Sequence, residues 1–279
     1  MKLQDKIAVI TGGSRGIGKA IAAAFLREGA SVVLAARSKE ELVAAKAELA
    51  SGGAVEVFPA DVSKKSEVAA LMKFAEEKFG TIDIVVNAAG IYGAIGTVAE
   101  VDAEEWKKTF DINLFGALNV IQQAIPILER SSNGVRRKKI INFSGGGDGP
   151  LPHFSAYSTS KVAIVRLTET LAKEVEGKNI DVNVIAPGPV NTKILEDALA
   201  AGEVLVGKAM YEKLLKQKKE GGVPPEKAAE LCVFLASADS DGLSGKLLSA
   251  VWDKYGEWTK EDITRLMESD KLTLRRVNL

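Results

Sequence analysis

Tyr157 and Lys161 stand four residues apart in Ser155-Ala156-Tyr157-Ser158-Thr159-Ser160-Lys161, a stretch with helical spacing, so both side chains leave one face of a helix. A free phenol titrates near about 10 and is rarely ionised at neutral pH. An ammonium held beside it favours the phenolate and brings the hydroxyl closer to a working range for proton transfer. Such a pair can protonate a carbonyl oxygen, or take a proton from an alcohol. The spacing alone is weak, because a lysine-rich chain supplies it by chance. Its context has to carry the assignment.

A second site is written near the N-terminus. Thr11-Gly12-Gly13-Ser14-Arg15-Gly16-Ile17-Gly18 follows the apolar run Lys6 to Ile10 and precedes a helical pattern from Gly18 to Glu28. Glycines between a first strand and a first helix let the backbone approach a pyrophosphate at the positive helix end, so a dinucleotide is expected there. Which dinucleotide is set at the end of the second strand, where an acid would hold the ribose hydroxyls and a cation a 2′-phosphate. That position reads Ala35-Ala36-Arg37-Ser38, without an acid. Arg37 and Arg15 would give one phosphate two planar cations, so NADP(H) is expected ahead of NAD(H). The competing reading leaves both arginines as solvated surface charges. Asp61-Val62 follows the third strand, where Asp61 would either bond the adenine or cap a helix.

These residues need a scaffold, and the pattern around them supplies one. Short apolar runs at 6–10, 31–36, 55–58, 82–86, 139–143 and 181–185 alternate with helical stretches at 18–28, 39–50, 66–79, 103–128 and 156–175. Strands apolar throughout, separated by helices, imply an α/β fold: a doubly wound parallel sheet of the Rossmann kind, covered on both faces. Residues 191–222 are helical in pattern, follow a sheet strand and carry small-residue patches, which suits a mobile lid.

The glycine loop, Asn87-Ala88-Ala89-Gly90 after the fourth strand, Ser144 thirteen residues before Tyr157, and Pro187-Gly188 after the sixth strand together resemble the short-chain dehydrogenase/reductase family. Over about residues 5–245 the chain is similar to its simple single-domain subtype, which includes bacterial oxoacyl-carrier-protein reductases. Ala88 departs from that family's second asparagine. The resemblance implies a catalytic set of Asn113, Ser144, Tyr157 and Lys161. Ser144 would hydrogen-bond the substrate oxygen beside Tyr157, and Asn113 would hold a water linking Lys161 to solvent. It also implies cofactor contacts from Gly12, Ser14, Arg15, Gly16, Ile17, Gly18, Arg37, Asp61, Val62, Asn87, Ala88, Gly90, Tyr157, Lys161, Pro187, Gly188, Val190 and Thr192. The implied reaction is hydride transfer between a nicotinamide and a carbonyl/alcohol pair. A homo-oligomer, tetramer ahead of dimer, is implied through helices 103–128 and 156–175 and the last strand. A non-catalytic NADP-binding sensor and an epimerase or dehydratase with tightly held cofactor are the alternative readings.

Residues 1–250 are expected to form the catalytic domain and 251–279 an extension packed on it, with a helix capped by Thr259 and a short strand at 272–277. Trp252, Tyr255 and Trp258 would pack that tail. Asn133 to Lys139 reads as a solvated basic turn, and Gly145 to Phe154 as a partly apolar pocket wall in which His153 is a surface residue. Lys+Arg and Asp+Glu both number 37, so nothing points to bulk attraction to nucleic acid or membrane. Cys232 is the sole cysteine, which rules out an intrachain disulfide and a multi-thiolate metal site and fits a reducing cytoplasm. No run reads as a targeting or membrane-spanning segment. A small-molecule partner is expected, and no metal.

Overall fold

The computed structural model describes residues 1–130, 136–145 and 149–275. Seven strands form one parallel sheet: β1 (Ile7–Thr11), β2 (Ser31–Ala36), β3 (Val55–Pro59), β4 (Ile84–Asn87), β5 (Lys138–Phe143), β6 (Ile180–Ala186) and β7 (Leu247–Ser249). Their spatial order is β3-β2-β1-β4-β5-β6-β7. The order reverses beside β1, where Thr11 pairs with Ala35 of β2 on one side and Asn87 of β4 on the other. A crevice therefore opens at the carboxyl ends of β1 and β4, the place where open α/β sheets bind ligands.

Alternation along each strand sends side chains to two faces. Ala8 and Ile10 enter a core with Ile21 and Phe25 of helix α1 (Gly16–Arg27), Leu42 of α2 (Lys39–Leu49) and Leu231 and Leu235 of α9 (Pro225–Ala236). Val9 and Val33 enter the other, against Val68 and Leu71 of α3 (Lys65–Phe79), Val120 of α5 (Gly116–Arg130) and Leu171 of α6 (Ser155–Glu174). Cys232 is fully buried in the first core, and burial pushes its thiol pKa well up, as expected of an inert residue.

The helix expected at 103–128 is not continuous. It is α4 (Ala103–Phe110), a π-helical turn over Asp111–Phe115, then α5. Such a turn inserts one residue into the helical ladder and re-aims the side chains it carries. Here it carries Asn113.

The basic run before β5 also differs from expectation. Residues 133–135 lie outside the described residues, but Lys138 and Lys139 open β5 and are buried, not solvated. Lys138 Nζ lies 2.8 Å from Asp83, which also accepts from Ile7 N at 2.9 Å. Lys139 Nζ reaches Asp181 at 2.8 Å and Asp241 at 2.7 Å, and Arg137 Nε donates to both Asp181 oxygens at 2.8 and 2.9 Å. Neighbouring parallel strands begin side by side at this amino edge, so charges placed at strand starts meet and can be desolvated in pairs.

Beyond β7 the chain turns back on the domain. Tyr255 and Trp258 pack on Phe234 with ring centroids 5.3 and 6.1 Å apart. Thr259 caps α10 (Lys260–Met267) in a reciprocal capping box with Asp262. The strand expected at 272–277 does not form over its described part, 272–275; residues 276–279 lie outside the described residues. The chain there still meets the sheet: Leu247 N donates to Leu272 O at 2.7 Å, and Ser249 N donates to Asp253 Oδ2 at 2.7 Å. No described helix is long and apolar enough to cross a membrane.

Candidate active site

The glycine loop crosses the crevice. Gly12 has φ 67°, and a Cβ there would meet Ala89 Cα at 2.9 Å; one on Gly18 would meet Gly12 O at 2.2 Å. Both positions need glycine because the β1 turn, the helix start and the β4 loop are packed onto one another. A cavity of about 370 Å³ lies over this junction, a size in the range of small-molecule sites. Its wall includes Gly12, Ser14, Arg15, Gly16, Ile17, Gly18, Arg37, Asp61, Val62, Ala88, Gly90 and Thr192, all expected from the sequence. Asn87 is not in that wall; its amide Nδ2 donates to Asn142 Oδ1 at 2.9 Å inside the sheet. Pro187, Gly188 and Val190 also lie outside it, and a Cβ on Gly188 would strike Val251 of the tail at 2.8 Å.

Two charges in the wall differ from the sequence-based picture. Asp61 Oδ1 accepts from Ser63 N and Oγ at 3.0 and 2.7 Å, the local turn. Burial alone would raise its pKa, but those hydrogen bonds, with Arg37 and Lys64 nearby, outweigh burial and hold it low. The second concerns the missing acid. No acid ends β2, yet Glu41 from the first turn of α2 reaches the same cavity. Its Oε1 accepts from Arg15 at 2.6 Å and its Oε2 from Ser14 Oγ at 2.9 Å. Arg15 is thus a paired cation rather than a free one. Sequence reading missed Glu41 because Ser38-x-x-Glu41 has the spacing of a helix capping box, and Ser38 Oγ does accept from Glu41 N at 3.1 Å.

The proton-handling residues meet where α6 crosses the carboxyl end of β5. Lys161 is buried and its Nζ donates to Phe143 O at 3.0 Å. Ser144, just past the strand, donates to Lys161 O at 3.3 Å. Asn113 is locked by three bonds: Ile91 N to Oδ1 and Nδ2 to Ile91 O, both 2.9 Å, and Nδ2 to Ser160 Oγ at 3.0 Å. A Cβ on Gly90 would lie 3.2 Å from Lys161 Nζ and 3.3 Å from Asn113 Oδ1, so all three converge there. Gly90 also lines the dinucleotide cavity, which joins the two sites.

Lys161 does not lower the Tyr157 pKa in this structure. Burial pushes the phenol above its ordinary value, with the neighbouring Tyr92 adding to the rise. Burial likewise lowers Lys161 to about 8. Its Nζ sits 5.9 Å from the Tyr157 ring centroid, and the loss of water around the hydroxyl decides the direction. A protonated phenol is the form needed to donate to a carbonyl. Gly145, expected from the sequence only as the start of the pocket wall, lies beside it: a Cβ there would fall 2.2 Å from Tyr157 Oη.

The wall facing Tyr157 is apolar and aromatic. Tyr92 meets Tyr157 edge-on at 4.7 Å and Phe154 at 4.9 Å. Leu195, Ala198, Val206 and Leu214 of α7 (Lys193–Val206) and α8 (Lys208–Glu220) close over Phe154 from the segment expected to be a lid. α7 kinks at Gly202, whose φ of 85° and ψ of 165° are not helical. His153 Nδ1 donates to Leu205 O at 2.8 Å, so this histidine joins pocket wall to lid. Residues 146–148 of the expected wall lie outside the described residues. Among the described residues no group of three or more histidine, cysteine or acidic side chains could hold a metal.

A glycine loop at the switch point of a doubly wound sheet, beside a Tyr-Lys helix, is the arrangement of a dinucleotide-dependent oxidoreductase. The family model described as short chain dehydrogenase matches residues 6–202. The chain belongs to this family of short-chain dehydrogenases/reductases. It is 38% identical over 250 residues to 3beta-hydroxysteroid dehydrogenase 1 of Eggerthella lenta, covering 88% of this chain and 92% of that protein. With the 3-oxoacyl-(acyl-carrier-protein) reductase FabG of Thermotoga maritima it shares 32% identity over 252 residues, 89% of this chain and 97% of the relative. The crystal structure of NAD+-bound xylitol dehydrogenase superposes with a TM-score of 0.80 at 26% identity, covering 89% of this chain and 98% of that one.

Proposed function

We propose that this protein moves a hydride between NADP(H) and a carbonyl/secondary alcohol pair, with Tyr157 as the general acid and base. The observation that carries the reading is the convergence of Lys161 and Asn113 on Gly90, a residue of the dinucleotide cavity wall, which sets proton transfer beside the cofactor site. The close-packed Gly12 and Gly18 leave the backbone cradle a pyrophosphate needs, so the cavity fits a dinucleotide. Gly12, Ser14, Gly16, Ile17 and Gly18 would hold the phosphates, Arg15 and Arg37 a 2′-phosphate, Asp61 and Val62 the adenine, and Ala88, Gly90 and Thr192 the nicotinamide half. When bound, the cofactor supplies or accepts the hydride.

The chain's own residues handle the proton. Tyr157 donates its hydroxyl proton to the carbonyl oxygen in reduction and takes it back from the alcohol in oxidation. Ser144 turns its hydroxyl from Lys161 O to the same oxygen and stabilises the charge that develops there. Lys161 returns a proton to Tyr157 and is itself reprotonated from solvent through a water that Asn113 would hold beside Gly90. The aromatic wall and lid exclude water and favour an apolar carbonyl compound. Relatives named as an oxoacyl reductase and a hydroxysteroid dehydrogenase support carbonyl/hydroxyl chemistry. The NAD+-bound neighbour keeps NAD(H) as the competing cofactor.

Residues 1–250 are taken as the catalytic unit and 251–279 as its extension, in a cytoplasmic homo-oligomer with dimer and tetramer as the candidate states; a monomeric mass at micromolar concentration would defeat the oligomer. The function is tested by following NADPH and NADH consumption with a panel of ketones. Tyr157→Phe should lower turnover at least about 100-fold while cofactor affinity holds. A wild type inert toward every ketone, or a variant keeping most of its activity, would overturn the reading.

A further inference from the structure

We propose that Glu41 is a specificity-determining residue that weakens the preference for NADP(H) by holding a carboxylate where the 2′-phosphate would sit. The inference rests on the nicotinamide reading above. Both Glu41 carboxylate oxygens go to the glycine loop, one to Arg15 at 2.6 Å and one to Ser14 Oγ at 2.9 Å. At the third position of α2, behind its Ser38 cap, a glutamate ordinarily turns back to the cap backbone. This one instead spans from the second βα unit to the first, across the adenosine end of the cavity.

The two cofactors meet this arrangement differently. A 2′-phosphate needs cations, and the wall supplies Arg15, Arg37 and Lys193. Lys193 is paired with Asp197 at 3.0 Å, and Arg15 with Glu41, which leaves Arg37 as the remaining guanidinium. To gain Arg15, the phosphate must displace a carboxylate of its own sign. Ribose hydroxyls, by contrast, are donors, and Glu41 is an acceptor at that place. The Arg15–Glu41 pair is about half exposed on both sides, 52% and 42%. An exposed pair of this kind is weak, so it can be opened by ligand. Repulsion between the displaced carboxylate and the phosphate remains after it opens. A dual-cofactor enzyme follows, with NADP(H) binding held below what two free arginines would give.

The experiment is a fluorescence titration of the full chain with NADPH and NADH, for wild type, Glu41→Gln and Glu40→Gln. Glu41→Gln keeps the side-chain length and an acceptor for Ser14, and releases Arg15. NADPH should bind at least about 5-fold tighter, the cost of opening a weak exposed pair and the repulsion that follows it both being removed, while NADH binds equally or more weakly. Glu40→Gln removes an acid from the same helical turn without touching the loop, and should leave the NADPH/NADH ratio unchanged. A ratio unmoved by Glu41→Gln would overturn the inference, as would an equal shift from Glu40→Gln, which would reduce the effect to general charge at a helix end. A titration with 2′-AMP and 5′-AMP places the effect: only 2′-AMP should tighten in Glu41→Gln. If wild type binds neither dinucleotide, the nicotinamide reading fails first; if it binds both and the ratio ignores Glu41, only this inference does.

Discussion

Gly145→Ala should disable the enzyme without unfolding it. A Cβ at 145 would lie 2.2 Å from Tyr157 Oη and 3.1 Å from Cζ, with the first contact well inside any real carbon–oxygen approach. To restore contact the hydroxyl must retreat by about 1 Å. Retreat is resisted, because Tyr92 stands edge-on to the Tyr157 ring at 4.7 Å and the lid packs behind it. A misplacement of about 1 Å at a reacting group costs about 100-fold in rate. The backbone at 145 does not need a positive φ, so alanine itself is tolerated there. The assay is steady-state reduction of a ketone found active in the panel, with NADPH affinity and a urea unfolding midpoint measured alongside. Turnover should fall about 100-fold with the other two nearly unchanged. Because the loss runs through the Tyr157 hydroxyl, the Gly145→Ala/Tyr157→Phe double variant should be no slower than Tyr157→Phe alone. A single variant that keeps more than about a third of its turnover, or a double variant whose losses multiply, would refute the positioning argument.

Ketone reduction should hold level through neutral pH and decline above about 8, as Lys161 loses the proton that burial already weakens; a rate–pH profile flat to 10 would contradict this. Because the folded pKa of Lys161 lies below that of an unfolded lysine, its burial destabilises the fold fully below about pH 8, and the penalty fades as pH rises toward the unfolded value. Lys161→Met should therefore abolish turnover yet raise stability at pH 7 by up to about 3 kcal/mol, less the lost bond to Phe143 O, read as a higher urea midpoint. Asp181→Asn should cost about 1.5–3 kcal/mol, since it removes the carboxylate of Arg137 and one of the two that hold the buried Lys139, which keeps Asp241; an unchanged urea midpoint would count against that ion cluster.

What the sequence made legible was local. The glycine loop, the apolar alternation and the Tyr157–Lys161 spacing each lie within a few residues, and each maps onto one strand, turn or helix face. The helix cap at Thr259 was readable for the same reason. What escaped depends on approach between distant segments. Glu41 looks like a cap until α2 is laid beside the glycine loop, 26 residues earlier. Lys138 and Lys139 look like a solvated turn until β5 starts between β4 and β6, whose starts bring Asp83 and Asp181. The π-helical turn at Asp111–Phe115 has no periodic signature in so short a span. The direction of the Tyr157 shift escaped because the Lys161 spacing is local, whereas the packing of Tyr92 and the Phe154 cluster around the phenol joins distant segments.

The last strand of the sheet is only three residues long, and its two outward N–H groups, at Leu247 and Ser249, are taken by Leu272 O and the Asp253 carboxylate. An edge strand with free donors is a template on which another chain can add a strand, the route by which open sheets stick together. The tail closes that route in cis. Chains ending at 250 would retain the glycine loop and the Tyr157 helix but expose a ready seam, and their failure would be expected as precipitation during folding rather than as lost catalysis. The residues after 250 thus occupy, from within the same chain, the backbone donors that the last strand turns outward.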